Sequence, residues 1–141
     1  MRGVLRGLTT NHARTDPAAT DRRLRGRTYA IPFDRVWNAA LALADGGLKR
    51  WRVVDADDEE GLIRAVSTTW LFRFPDDVQI VVGLDENGQT RVDLRSRSRK
   101  GKGDLGRNPR LIGRFLRELD HRLEARPEQI LDAVTPPSWS A

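Results

Sequence analysis

Two amphipathic stretches bracket a run of alternating segments, and this arrangement limits what the chain can fold into. Phe33, Val36, Trp37, Ala40, Leu41 and Ala44 recur at i, i+3, i+4, i+7, i+8 and i+11, which places them on one helical face. Gly46-Gly47 supplies the C-terminal stop. A second stripe, Leu111, Ile112, Phe115, Leu116, Leu119 and Leu123, begins after Asn108, read as N-cap, and Pro109 at the first helical position. Pro127 closes it. Each apolar stripe must be buried, and the sequence between them supplies a sheet to bury it against.

The strand pattern is regular. Thr28–Ile31 predicts a short first strand before Pro32. Trp51–Ala56 and Leu62–Ser67 flank the acidic turn Asp57–Gly61 and read as a hairpin. Trp70, Phe72 and Phe74 alternate with Leu71 and Arg73 in an extended piece ended by Pro75. Val78, Ile80, Val82 and Leu84 line one face of the next strand, and Asn87-Gly88 turns it back. On the return, Val92 and Leu94 point inward while Arg91, Asp93, Arg95, Arg97 and Arg99 point to the opposite face. The predicted architecture is therefore an α+β two-layer sandwich: an antiparallel sheet of four to five strands with two helices packed on one face. Residues 1–27, poor in large apolar side chains, read as a flexible basic arm. Residues 28–126 read as the single domain, and 127–141 as a tail that either packs loosely through Ile130, Leu131 and Trp139 or is free.

Charge matters where it clusters. The formal net charge is +5, yet only three residues are lysine, an arginine bias that coding composition alone can produce. Arg95, Arg97, Arg99, Lys100 and Lys102 fall within eight positions that hold no acid. The chain then passes Gly101, Gly103, Asp104, Leu105, Gly106 and Arg107 to reach Asn108. Glycines let backbone amides converge, and a helix N-terminus carries partial positive charge. The predicted site is an anion-binding corner at this strand–turn–helix junction, with amide donors at Gly101, Gly103 and Leu105 and a phosphate-bearing or other anionic partner. The competing reading makes it a structural turn, with Asp104 as the resident anion.

Other chemistries find less support. Gly101, Gly103 and Gly106 spell the dinucleotide fingerprint, but the preceding strand belongs to a hairpin and no parallel crossover follows. The acidic turn lacks the glycine and the final glutamate of an EF-hand loop. There is no cysteine, and His12 and His121 lie far apart, so no metal site and no cofactor are read. Ser96 and Ser98 lack a nearby histidine, and no catalytic constellation emerges. Trp37, Trp70, Phe72 and Phe74 could instead line a hydrophobic ligand or lipid pocket between sheet and helices. Nucleic-acid binding, combining aromatics with the basic strand, is a third reading. No run approaches the roughly 20 apolar residues of a membrane span, and the sequence reads as cytoplasmic.

Three blocks carry a family likeness: Tyr29–Trp37, Leu71–Val78 and Arg95–Asn108. The last, a Ser-Arg-Ser run followed by Gly-x-Gly-Asp-Leu-Gly and a helix, is the most specific. The chain resembles the bacterial and plastid family called domain of unknown function 1499. The resemblance implies a shared fold and marks Arg95, Ser96, Arg97, Ser98, Gly103, Asp104, Leu105 and Gly106 as a signature. It implies no activity.

Overall fold

The computed structural model describes residues 12–68, 74–99 and 107–131. Its strands are β1 (His12–Arg14), β2 (Arg27–Tyr29), β3 (Trp51–Asp57), β4 (Leu62–Thr68), β5 (Pro75–Leu84), β6 (Thr90–Ser98) and β7 (Ile130–Leu131). The helices are α1 (Phe33–Ala42), which runs on into a wider turn over Leu43–Gly47, and α2 (Arg107–Leu123). The strands join one antiparallel sheet in the order β3-β4-β5-β6-β2-β7, with β1 also paired to β6.

The α+β class, the antiparallel sheet and the two helices agree with the sequence reading. The strand number does not: seven strands are found among the described residues, against four to five expected. Two of the additional strands come from the stretches read as arm and tail. β1 pairs His12–Arg14 with Arg95–Arg97, and β7 pairs Ile130–Leu131 with Thr28–Tyr29. At three and two residues these strands are too short to show a local period, and pairing to a longer neighbour fixes them. Pro75 opens β5, where the sequence suggested a break. Trp70 and Phe72 lie outside the described residues.

Period-2 alternation decides which face holds the core. Ile63, Ala65, Val78, Ile80, Val82, Val92 and Leu94 stand on one side of the sheet, each at most 2 % exposed. Against them α2 lays Ile112, Phe115, Leu116, Leu119 and Leu123, and α1 lays Val36, Trp37 and Ala40. Trp51 stacks on Phe115 with ring centroids 5.3 Å apart. Burying a large apolar side chain contributes about 1.5–3 kcal/mol, so this layer holds the fold together. The β5–β6 turn closes with Gly88 N–H on the Asp85 carbonyl, while the Asp85 carboxylate accepts from Asn87 and Gln89 N–H at 2.9 Å.

β1 and β2 share one side of β6 end to end. Thr15 fills the gap between them: its N–H donates to the Leu94 carbonyl at 2.8 Å, and its hydroxyl donates to Asp93 at 2.7 Å. The chain from Thr15 to Gly26 then loops out beside α2.

Candidate functional site

The run Arg95-Ser-Arg-Ser-Arg99 is split between the two faces of β6. Ser96 and Ser98 share the helix side with Leu94 and are 1 % and 3 % exposed. Arg95, Arg97 and Arg99 emerge on the opposite side and are exposed. One half of the motif therefore serves the interior while the other meets solvent.

The serines clasp the start of α2. Ser96 Oγ donates to Asn108 Oδ1, and Asn108 Nδ2 donates to Ser98 Oγ at 3.0 Å. Arg107 Nη2 reaches Ser98 Oγ at 2.7 Å and Asp76 Oδ1 at 2.9 Å. Asp76 is 1 % exposed and opposite Ser98 in the β5–β6 register. Burying a carboxylate requires a paired cation, and Arg107 supplies one. Asn108 was expected as N-cap; it is instead the second residue of α2, fully buried, with its amide turned to the sheet. Arg107 and Asn108 thus belong to the interior clasp. Among the described residues the carboxylate that meets this junction is Asp76, a residue on a neighbouring strand that spacing along the chain does not reveal. Lys100, Gly101, Lys102, Gly103, Asp104, Leu105 and Gly106 lie outside the described residues.

On the outer face the arginines differ in their partners. Arg99 grips Asp77 through Nε and Nη2, the shortest contact being 2.7 Å. These hydrogen bonds hold the Asp77 carboxyl below its ordinary value, and the charge of Arg97 contributes in the same direction. Arg95 Nε donates to Gln79. Arg97 is exposed and has no hydrogen bond among the described residues. Arg91 was expected on this exposed row, but it is 6 % exposed. It is bound to Asp93 at 2.8 Å and to the Arg25 carbonyl, beneath the loop that follows β1. Burial pushes the Asp93 carboxyl up, and the hydrogen bonds from Arg91 oppose that shift.

β1 enlarges the basic face. In its register His12 stands opposite Arg97, and Arg14 opposite Arg95. All four residues are exposed, and directly opposed residues of an antiparallel pair project on the same side. Across the sheet the Arg95 row continues through Gln79 to Arg64. The contribution of β1 to this surface was missed in the sequence, where nothing short of the pairing itself brings residues 12 and 14 beside 97 and 95.

Of the aromatic alternative, Trp37 and Phe74 are among the described residues. Trp37 is 8 % exposed and stacks on Phe33 at 5.9 Å. Phe74 is half-buried just before β5, and Trp70 and Phe72 fall outside the description. Arg110, Arg114, Arg117 and His121 do form an exposed stripe on α2. No group of three or more His, Cys, Asp or Glu residues is placed to hold a metal ion among the described residues. No helix there is long and apolar enough to cross a membrane.

Fold and site together define a small α+β sandwich that clamps its last helix with a polar clasp and carries arginines on its open sheet face. The family model described as "Protein of unknown function (DUF1499)" matches residues 8–119, and the chain belongs to that family. No curated protein matches it. The matched residues include β1, α1, α2 as far as Leu119, and Arg95–Asn108.

Proposed function

We propose that this protein is a small accessory module that binds a phosphate-bearing or other anionic ligand on the open face of its sheet. The observation that carries this reading is the β1–β6 register, which sets Arg14 against Arg95 and His12 against Arg97. Like charges directly opposed across two strands are destabilising. Setting Arg14 directly against Arg95 therefore disfavours the free protein, and an anion lying across that pair would relieve the repulsion. Asp77 pairs with Arg99 and stands opposite Arg97; Arg14, Arg95 and Arg97 would supply the guanidinium groups that meet the anion. Arginine forks suit phosphate oxygens because they can donate two parallel hydrogen bonds.

An amide proton–nitrogen NMR titration with inorganic phosphate, pyrophosphate, anionic phospholipid vesicles and short RNA tests the reading. Saturable shifts are expected at His12, Arg14, Arg95 and Arg97, with at least about a tenfold loss of affinity in Arg95→Glu/Arg97→Glu, equivalent to about 1.4 kcal/mol. A silent β1–β6 region, or unchanged affinity in that variant, would refute it. Binding to RNA alone, falling steeply with salt, would replace it with the nucleic-acid reading.

A further inference from the structure

A second basic feature, independent of the sheet face, lies beside α2. Arg22, Arg23 and Arg27 from the loop and β2 meet Gly113, Leu116 and Arg117 of α2 around a pocket of about 190 Å³. Sequence alone leaves these residues unconnected.

The glycine shapes this pocket. A Cβ at Gly113 would lie 3.0 Å from Cγ and 3.1 Å from Cδ of Arg23, so an alanine there would make the arginine stem give way by a few tenths of an ångström. Two of the guanidinium groups are held by acids of their own. Asp21 accepts from Nε and Nη2 of Arg23, at 2.7 Å for the closer pair, and also from Arg23 N–H. These contacts lower the Asp21 carboxyl from its ordinary value. Asp120 accepts from Nε and Nη2 of Arg27, both at 3.0 Å, and is itself fixed by the Tyr29 hydroxyl. A guanidinium has five N–H donors. Nη1 of Arg23 and Nη1 of Arg27 make no hydrogen bond among the described residues. Arg22 and Arg117 are exposed and have no acidic partner there. Four guanidinium groups against two carboxylates leave a surplus of two positive charges around the cavity. Its floor is apolar: Leu116 is 2 % exposed, and the arginine stems lie beside it.

We propose that this pocket binds a small phosphate monoester. A phosphate monoester carries about 1.5 to 2 negative charges at neutral pH, which matches the surplus. Nη1 of Arg23 and Nη1 of Arg27, on guanidinium groups already held by Asp21 and Asp120, can donate to its oxygens with little loss of side-chain freedom. The apolar lining of Leu116 and the arginine stems would take the organic part of the ester, which free phosphate lacks.

The test is calorimetry and amide NMR on the full chain with phenyl phosphate, inorganic phosphate and benzoate at one fixed ionic strength. Phenyl phosphate should shift Arg22, Arg23, Gly113 and Arg117 saturably and bind more tightly than either fragment. Arg22→Ala/Arg117→Ala, which removes two exposed unpaired side chains, should weaken it about tenfold or more with an unchanged unfolding midpoint. Gly113→Ala, which shifts the Arg23 stem only slightly, should weaken it by a smaller factor. In Arg95→Glu/Arg97→Glu the saturable shifts at Gly113 and Arg117 should persist, separating this pocket from the sheet face. No saturable shift at Gly113, or wild-type affinity in the double alanine variant, would overturn the proposal. Equal affinity for inorganic and phenyl phosphate would overturn the assignment of a monoester.

Discussion

Asn108 donates through Nδ2 to Ser98 Oγ at 3.0 Å while its Oδ1 accepts from Ser96, so one amide is held by two serines on the same face of β6. The three side chains are each at most 3 % exposed. Removing one partner strands a buried polar group, at a cost of about 1–3 kcal/mol. Ser96→Ala and Asn108→Ala should each lower the urea midpoint accordingly. Arg97→Ala, one residue along on the other face, should change stability by no more than about 0.5 kcal/mol. A large loss for Arg97→Ala would make that arginine structural and remove the main support for the sheet-face site.

The neighbouring ion pair makes a second test. Asp76 has a side chain 2 % exposed, and Arg107 is 23 % exposed at 2.9 Å from it. Arg107→Met leaves the carboxylate buried without its cation and should destabilise by about 3–5 kcal/mol. Asp76→Leu/Arg107→Met should recover part of that loss. A double-mutant cycle in urea measures the coupling, and simple additivity would show that the pair does not act as a unit.

Acid titration should separate Asp77 from Asp93. Hydrogen bonds from Arg99 depress the folded-state Asp77 carboxyl, so its stabilising contribution is present above the unfolded carboxylate range and is lost as pH falls through the depressed value. Asp93 has the opposite sign: burial raises its folded-state value, so falling pH relieves a penalty as the carboxyl takes up a proton. Carboxyl carbon NMR should show Asp77 titrating lower and Asp93 higher than ordinary aspartates. In Arg99→Ala, Asp77 should return toward the ordinary range; an unmoved Asp77 would mean that Arg99 does not set its ionisation.

Two glycines with different surroundings predict different responses to alanine. Gly61, at the β3–β4 turn, has φ +68, and a Cβ there would run into the Val82 carbonyl oxygen. That carbonyl belongs to the strand whose Val82 N–H donates to Gly61 O at 2.8 Å, so neither side can yield freely. Gly61→Ala should therefore cost at least about 2 kcal/mol in thermal or urea unfolding, as backbone strain adds to the clash. Gly83, in β5, has open space where a Cβ would sit. Gly83→Ala should be neutral or stabilising by up to about 1 kcal/mol.

Much of the fold was legible because its signals are local. The stripes at Val36–Ala44 and Ile112–Leu123 repeat at helical spacing, and each buries its face. The hairpins at Asp57–Gly61 and Asn87-Gly88 join strands adjacent in sequence, so alternation along β4, β5 and β6 sufficed to orient them. The same alternation separated Val92 and Leu94 from Arg95 and Arg97. Tertiary structure decided the remainder. Asp76 and Arg107 meet across 31 positions, and Arg14 meets Arg95 only because a three-residue strand finds the free side of β6. Arg91 and Arg97 look equivalent in the sequence, yet the loop from Thr15 to Gly26 covers one and leaves the other in water. Local periodicity records which way a side chain points relative to its neighbours. Whether it then meets a carboxylate, a backbone carbonyl or solvent depends on which distant segment packs there, and in this chain that choice separates a structural clasp from a candidate binding face.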